Sequence, residues 1–251
     1  VADGRNSRIQ NFAPDSTFVV KWGREGMGGG QFVLPTGLAV DGAGYIYVTD
    51  SGNHRIQKFA PDTAFVTSWG SRGSGPGEFE SPTGIVAGPE GSIYVVDTGN
   101  HRVQKFSSDG VYITGWGEQG SGPGQFDTPR GIAADQYGNI YVTGCRNNRV
   151  QRFSSEGVYL DSWGAYGTTE GLFNCPIAIA VDESGDVYVV DYGNDRLQKF
   201  TSTGVFVTLL GSSGTDGGEF DRPEGVAIGR TGAIFMVDSR NSRIQKFAPI
   251  Q

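Results

Sequence analysis

Apolar and polar residues alternate in the same order many times along this chain. In residues 70–116, short alternating or small apolar runs occur at 83–87, 92–97, 102–106 and 111–116, with glycine-rich turns between them. Alternation at period two is the pattern of a half-buried β-strand, and no run has the spacing of an amphipathic helix. The pattern predicts an all-β fold that contains four short antiparallel strands in every such stretch.

These stretches recur every 47 residues without insertion or deletion. The period is carried by identical residues: an asparagine, an arginine two positions later and a phenylalanine six positions later. The asparagines are Asn6, Asn53, Asn100, Asn147, Asn194 and Asn241. A fixed period of this length is the signature of a solenoid, propeller or array. Four antiparallel strands per repeat match the blade of a β-propeller better than the shorter coil of a β-helix.

We therefore predict one propeller domain over residues 1–251 in six repeats, the first and last of them partial. Repeats one to six span 1–22, 23–69, 70–116, 117–163, 164–210 and 211–251. The third strand occurs six times, but the inner and outermost strands occur five times each, and residues 1–14 nearly duplicate 236–249. A propeller of six blades, one of them incomplete, is the prediction. Five blades, with residues 18–22 completing the last one, is the alternative.

Composition supports a folded chain and excludes some functions. The 41 glycines indicate many tight turns, and 12% aromatic residues are far more than a disordered chain contains. No apolar run approaches the length of a membrane helix, so no membrane insertion is expected. A net charge of −7 without a basic cluster argues against nucleic acid as a partner. Two cysteines are too few for a disulfide scaffold and lack metal-site spacing, and no cofactor is indicated.

The motif around the repeated asparagine resembles a known family. Residues 52–59 read Gly-Asn-His-Arg-Ile-Gln-Lys-Phe and residues 99–106 read Gly-Asn-His-Arg-Val-Gln-Lys-Phe, in the manner of the NHL repeat. The resemblance covers the whole chain in six copies and implies a propeller, usually of six blades. It implies no single activity, because NHL-like propellers include RNA-binding tripartite-motif proteins, peptide and polysaccharide binders, sensor ectodomains of bacterial kinases and a metal-dependent amidating lyase.

An aspartate stands three residues before most of the repeated asparagines, at Asp3, Asp50, Asp97, Asp191 and Asp238. Together with the repeated arginine, this set can be interpreted as a charge relay or as an anion site. A structural role is favoured instead, because identical repeats need identical internal contacts and an aspartate at a strand end fixes the following turn.

His54 and His101 occupy the variable position between the repeated asparagine and arginine, where other repeats have Ser7, Asn148, Asp195 and Ser242. A metal or general-base role would need histidines that converge with carboxylates. A position that accepts serine, asparagine and aspartate is typical of a surface turn. The family's lyase uses histidine ligands, and the chain has no matching set, so no catalytic or metal-binding residue is predicted.

The repeat is broken most clearly in repeats four and five. The aspartate column becomes Gly144, followed by Cys145 and Arg146, and a Thr-Gly pair becomes Ile177-Ala178, preceded by Cys175. The end of a second strand and the start of an inner strand lie at the same end of an antiparallel sheet. These departures therefore fall on one face, and a Cys145–Cys175 disulfide is our hypothesis. Independent drift with two buried free cysteines is the alternative.

The start of the inner strand also varies from repeat to repeat. Thr36, Thr83, Arg130, Ile177 and Glu224 occupy equivalent positions, and Arg222 lies nearby. In a propeller these positions surround the mouth of the channel, where ligands commonly bind. The predicted ligand-binding residues on this channel face are Arg130, Arg146, Ile177, Arg222 and Glu224.

The sequence favours a non-catalytic binding or assembly module over an enzyme. A rigid platform of repeats holds its variable residues without an ordering cost, and its expected partner is a protein or peptide, or an extracellular polymer such as a glycan. One alternative is a metal-assisted lyase or a lactonase-like enzyme. The other is a structural protein that self-associates through the incomplete blade. An extracellular or periplasmic location is expected from the lysine-poor composition rich in glycine, serine and threonine.

Overall fold

A computed structural model describes residues 1–250 as six antiparallel sheets, one for each repeat. Blade one contains β1 (Ala2–Asp3), β2 (Arg8–Phe12) and β3 (Phe18–Trp22). Blade two contains β4 (Pro35–Val40), β5 (Ile46–Asp50), β6 (Arg55–Phe59) and β7 (Phe65–Trp69). Blade three contains β8 (Pro82–Ala87), β9 (Ile93–Asp97), β10 (Arg102–Phe106) and β11 (Tyr112–Trp116).

Blade four contains β12 (Pro129–Ala134), β13 (Ile140–Gly144), β14 (Arg149–Phe153) and β15 (Tyr159–Trp163). Blade five contains β16 (Pro176–Val181), β17 (Val187–Asp191), β18 (Arg196–Phe200) and β19 (Phe206–Leu210). Blade six contains β20 (Pro223–Ile228), β21 (Ile234–Asp238) and β22 (Arg243–Phe247). Short 3₁₀ turns follow the second strand at Gly4–Asn6, Ser51–Asn53, Thr98–Asn100 and Tyr192–Asn194.

This is the predicted all-β, six-bladed propeller fold with four-stranded antiparallel blades. The prediction of one incomplete blade was wrong, because blades one and six both have three strands. Blade one begins with a second strand of only two residues, and blade six has no outermost strand among the described residues. The 3₁₀ turns were not predicted either, since a single turn of three residues has no periodicity to detect. None of the helices in residues 1–250 is long and apolar enough to cross a membrane.

The chain divides into two compact units, Val1–Trp116 and Gly117–Gln251. The division falls at the boundary between repeats three and four. The first unit holds blades one to three, and the second holds blades four to six.

The hydrophobic core of each unit lies between neighbouring blades. In the first unit, Tyr47 and Ile56 of blade two pack with Phe79 and Ile93 of blade three. In the second, Tyr141 and Val150 of blade four share a cluster with five residues of blade five. Each fully buried aromatic or aliphatic side chain contributes about 1.5–3 kcal/mol, so every blade is stabilised mainly by its neighbour.

Glycine is required where the outermost strand passes to the next repeat. Gly70 has a φ of +98°, and a Cβ there would lie 2.6 Å from the buried ring of Phe79. An L-residue is excluded by both the backbone conformation and the contact. This explains why one glycine column of the sequence follows the repeated tryptophan.

The repeated aspartate organises the loops of each blade, as the sequence favoured. In blade two, one carboxylate oxygen of Asp50 accepts the backbone N–H of Val33 at 2.7 Å. The other accepts hydrogen bonds from Asn53, Arg55 and Gln57 at 2.8–3.0 Å. Asp97, Asp191 and Asp238 repeat this arrangement. The side chain of Asp50 is fully buried, so the ion pair with Arg55 belongs to the scaffold rather than to an exposed anion site.

Candidate binding site at the start of the inner strands

One end of each of blades two to six carries both the start of the inner strand and the end of the second strand. The antiparallel register sets Pro129 opposite Gly144, and Pro176 opposite Asp191. We call this end the entrance face. Arg130, Ile177 and Glu224 are the second residues of β12, β16 and β20, so they lie on this face in the second unit. The inner strands touch here, since a Cβ on Gly131 would lie 2.7 Å from the carbonyl oxygen of Ile177.

On this face, the residue that follows a second strand contacts the start of the next inner strand. We call these contacts the bridging pairs. In the first unit, the hydroxyl of Ser51 donates to the carbonyl of Pro82. At the equivalent place in the second unit, Cys145 and Cys175 form a disulfide. One repeat further along, Arg222 donates to the hydroxyl of Tyr192 at 3.0 Å. Three equivalent junctions between blades therefore use three different contacts: a hydroxyl-to-carbonyl hydrogen bond, a disulfide and an arginine–tyrosine hydrogen bond.

A second contact, common to all three junctions, holds the backbone before the inner strand. Nδ1 of His54 accepts the N–H of Ser81 at 3.1 Å. Equivalent acceptors are Oδ1 of Asn148 for Cys175 at 2.8 Å and Oδ1 of Asp195 for Arg222 at 2.7 Å. His54 is the turn residue that the sequence predicted, but its side chain also joins two blades, which the sequence did not show. His54 has the left-handed turn conformation, with a φ of 53°.

Repeat four has lost the carboxylate around which the other blades are built. With glycine at 144, Oδ1 of Asn147 turns to accept the N–H of Asp127 at 2.6 Å. Arg149 still donates to the carbonyls of Ser121 and Gly122 at 2.6 Å. Its buried Nε finds no acceptor in the described part of the chain. Burial without a carboxylate lowers the pKa of Arg149. The disulfide thus stands beside a blade whose polar network is weakened.

A cleft of about 290 Å³ lies beside the third bridging pair, within the second unit. Its lining residues are Asn174, Cys175, Tyr192, Gly193, Asp195, Asp221 and Arg222. The guanidinium carbon of Arg222 is 5.3 Å from the centroid of the Tyr192 ring. The hydrogen bond to Tyr192 raises the pKa of Arg222, so this side chain is a fixed positive charge at the rim. Two carboxylates and one amide face the same space.

The structure separates the predicted site residues into three environments. Arg222 lines the cleft, whereas Arg130, Arg146 and Glu224 are exposed on the entrance face outside it. Ile177 is half-buried and packs against the core cluster that contains Tyr188. Only Cys175 and Arg222 of the predicted set line the cleft.

Sequence reasoning missed Tyr192 and the polar residues that surround it. Tyr192 occupies the column of Ser51, Thr98, Cys145 and Ser239, where it is the single aromatic residue. This difference could have identified Tyr192 as a candidate site residue from the sequence alone. Asn174, Asp195 and Asp221 gave none, because polar residues are ordinary at turns. Within residues 1–250, no group of three His, Cys, Asp or Glu side chains is placed to hold a metal ion.

These blades, their shared aspartate network and the variable entrance face define a repeat-built β-propeller. The NHL repeat model matches residues 32–59, 79–106, 173–200 and 220–247. A β-propeller repeat model matches residues 116–144, next to the altered Cys145 motif. The chain belongs to the NHL-repeat β-propeller family. Comparison with curated protein sequences finds no match.

Solved structures of several functions share the fold. Virginiamycin B lyase from Staphylococcus aureus is 15% identical with a TM-score of 0.65, over 99% of this chain and 79% of that one. A gluconolactonase from Xanthomonas campestris is 15% identical with a TM-score of 0.68, over 94% and 77%. A chain of a nidogen/laminin complex is 19% identical with a TM-score of 0.63, over 86% and 80%. At these identities the likeness is one of fold.

Proposed function

We propose that this propeller is a non-catalytic binding module that recognises a protein or peptide through the entrance face of blades four to six. One observation carries the proposal: the residues that depart from the repeat collect on that face. The disulfide, the Tyr192–Arg222 pair and the varied positions Arg130 and Glu224 all lie there. Identical residues in each repeat stabilise the scaffold. Residues that differ between repeats and collect on one exposed face therefore support a role in recognition.

The chemistry of the face suits a peptide better than a uniformly charged polymer. The exposed side chains of this face carry both signs of charge, on Arg130, Arg146 and Glu224, and Tyr192 supplies an aromatic surface. Tyrosine and arginine are the residues that most often dominate protein interfaces. The blades hold these side chains on rigid strands and short turns, which limits the entropy lost on binding.

The disulfide supports a location outside the cytoplasm. Disulfides persist in oxidising compartments and are rare in reducing ones. The Cys145–Cys175 bond therefore favours an extracellular or periplasmic protein, as the composition also did.

A lyase or lactonase activity is the alternative that the structurally similar enzymes suggest. Propellers host catalysis and binding alike, so the shared fold does not decide between them. Metal analysis of the purified protein separates the two. One bound divalent ion per chain, together with turnover of a lactone, would favour the enzyme over the binding module.

Selection of peptides from a random display library tests the proposal. We expect enriched peptides to lose binding to the triple variant R130A/R146A/E224A, whose three side chains are exposed on the entrance face. K21A/R24A/E25A is the matched control, because it removes the same charges from exposed residues of the first unit. Equal binding to both variants would contradict the proposal. The same proteins on a glycan array test a polysaccharide partner.

A further inference from the structure

We propose that the cleft beside Tyr192 and Arg222 binds a carboxylate group of the partner peptide, with the neighbouring peptide N–H groups held by Asp195 and Asp221. The inference rests on the proposed function and names the chemical group that the face recognises. It is carried by an arginine that a tyrosine hydroxyl orients and that no carboxylate of the described chain reaches within ion-pair distance.

The exposed guanidinium of Arg222 is oriented by Tyr192 and forms no ion pair, although Asp195 and Asp221 are near enough to attract its charge. It donates one hydrogen bond to the Tyr192 hydroxyl at 3.0 Å and lies 5.3 Å from the centroid of that ring. In the described chain, no carboxylate oxygen lies within ion-pair distance of it, and Asp221 reaches Arg240 instead at 3.9 Å. By contrast, Arg196 bonds the buried Asp191 at 2.8 Å and three carbonyls.

The backbone that carries Arg222 is fixed as firmly as its side chain. Oδ1 of Asp195 accepts the N–H of Arg222 at 2.7 Å, and the residue is in the left-handed conformation with a φ of 50°. Cys175, on the adjoining wall of the cleft, is tied to Cys145. An arginine held in this way presents its remaining N–H donors as a fork, which matches the two oxygens of a carboxylate.

The acidic residues of the cleft limit which anions fit. Only one Oδ of Asp195 is used by the chain, and the side chain of Asp221 is 41% exposed. These carboxylates oppose a multiply charged anion such as phosphate, but they accept hydrogen bonds from N–H groups. A peptide carboxylate is flanked by such donors. The cleft volume of about 290 Å³ is at the small end of ligand sites, enough for one residue and its adjacent backbone.

Titration of the whole chain with short probe peptides, followed by backbone amide chemical shifts, tests the inference. The first probe is acetyl-Gly-Gly-Asp-Gly-Gly-amide, the second replaces Asp with Asn, and the third is acetyl-Gly-Gly-Gly with a free carboxylate. We expect saturable shifts at Gly193, Asp195 and Arg222 with a carboxylate probe, and binding at least about tenfold weaker with the Asn probe. The first and third probes distinguish a side-chain carboxylate from a chain terminus.

Two substitutions locate the contact. R222Q removes the charge, and we expect it to weaken binding of the carboxylate probe about tenfold or more. Y192F removes the hydroxyl that orients the guanidinium, and we expect a loss of about two- to tenfold. R24Q, an exposed arginine of the first unit, is the control and should bind as the wild type does. Near-ultraviolet circular dichroism checks that each variant is folded.

Equal binding of the Asp and Asn probes, or unchanged binding by R222Q, would overturn the inference. Its failure is distinguishable from that of the proposed function. Display-selected peptides that bind R222Q normally but do not bind R130A/R146A/E224A would support binding at the entrance face and contradict a role for the cleft. Selected peptides that bind every variant equally would contradict the proposal that the entrance face is the binding site.

Discussion

A buried carboxylate in one repeat and its loss in another show what a single residue contributes to a blade. Asp97 accepts the N–H of Glu80 at 2.7 Å and the Nε of Arg102 at 2.8 Å. Gly144, its equivalent, leaves the Nε of Arg149 without an acceptor in residues 1–250. A buried, unsatisfied donor costs about 1–3 kcal/mol, so blade four is the least well bonded of the complete blades.

We predict that G144D stabilises the protein by about 1–3 kcal/mol, since the new carboxylate would satisfy Arg149. A Cβ at this position lies 3.2 Å from Oδ1 of Asn147, so that side chain must turn back toward the arrangement of the other repeats. Urea unfolding measures the change. The reciprocal variant D97G should lose about 3 kcal/mol or more, because it leaves Arg102 buried and unpaired. A G144D protein less stable than the wild type would contradict this account of blade four.

At position 54, the structure predicts that stability depends on the presence of a hydrogen-bond acceptor and not on the imidazole ring itself. H54N should keep the stability of the wild type, since Asn148 makes the same bond to the next blade at 2.8 Å. H54A should lose about 0.5–1.5 kcal/mol, because the N–H of Ser81 exchanges this acceptor for water. Thermal unfolding of both variants is the measurement. Equal losses in H54N and H54A would show that the histidine ring itself is required.

At the scale of the elements, the junction between blades is where this chain differs most from a uniform repeat. The junctions use a hydroxyl-to-carbonyl bond, a disulfide and an arginine–tyrosine pair at equivalent positions. The disulfide closes the junction beside the blade that lacks its aspartate. We interpret it as a covalent replacement for part of the lost polar network.

We predict that C145A/C175A lowers the free energy of unfolding by about 2–4 kcal/mol, as expected for a bond that closes a loop of some thirty residues. C145S/C175S should lose less, because a hydroxyl introduced at position 145 can donate to a carbonyl as Ser51 does. The comparison is made by urea unfolding without reductant. In dithiothreitol, the wild type should approach the double serine variant. Identical stability in the presence and absence of reductant would mean that the bond does not stabilise the blade.

For the whole molecule, two of the repeated aspartates, Asp3 and Asp238, predict loss of stability in acid, whereas burial raises the pKa of Asp191 and gives that residue the opposite dependence on pH. Burial raises the pKa of Asp238, but bonds from the N–H of Asp221 and from Asn241, Arg243 and Gln245 outweigh it and lower the pKa. Burial likewise raises the pKa of Asp3, and the bonds from its arginine, asparagine and glutamine neighbours outweigh it, so this pKa is also lowered. A group whose folded pKa is depressed stabilises the fold above its unfolded value of about 3.9. That contribution is lost as the pH falls through the folded pKa.

Unfolding free energies measured between pH 7 and pH 2 check this prediction. We expect them to fall below about pH 4. D238N should be less stable at neutral pH and should show a shallower decline in acid, because one of the titrating groups is gone. A decline as steep as that of the wild type would show that Asp238 does not contribute to it.

Most of the fold could be predicted from the sequence because its repeats are exact in length. The period places every strand of repeat three within one residue of its observed bounds. The site was harder, since the sequence shows which residues differ without showing which of them meet. The pairing of Cys145 with Cys175 could be predicted because the repeat places both cysteines on one face of adjacent blades. Tyr192 and Arg222 are also 30 residues apart, but nothing in their chemistry predicts the contact.

The contribution of position 54 was hidden for a different reason. Histidine, asparagine and aspartate share only a lone pair at the end of a short side chain, and the terminal repeats have serine there. Tolerance of several polar types is typical of a turn, and the left-handed turn is indeed present. The bond to the next blade depends on tertiary packing, which the local pattern does not contain.

The most direct test of the account is the chemical-shift titration of the full chain with the acetyl-Gly-Gly-Asp-Gly-Gly-amide probe. We predict saturable amide shifts confined to the entrance face of the second unit, at residues 174–175, 192–195, 221–222 and 224, and their loss in R222Q. Shifts spread over the first unit, or shifts at the cleft that persist in R222Q, would contradict the claim that the broken repeats form the binding site.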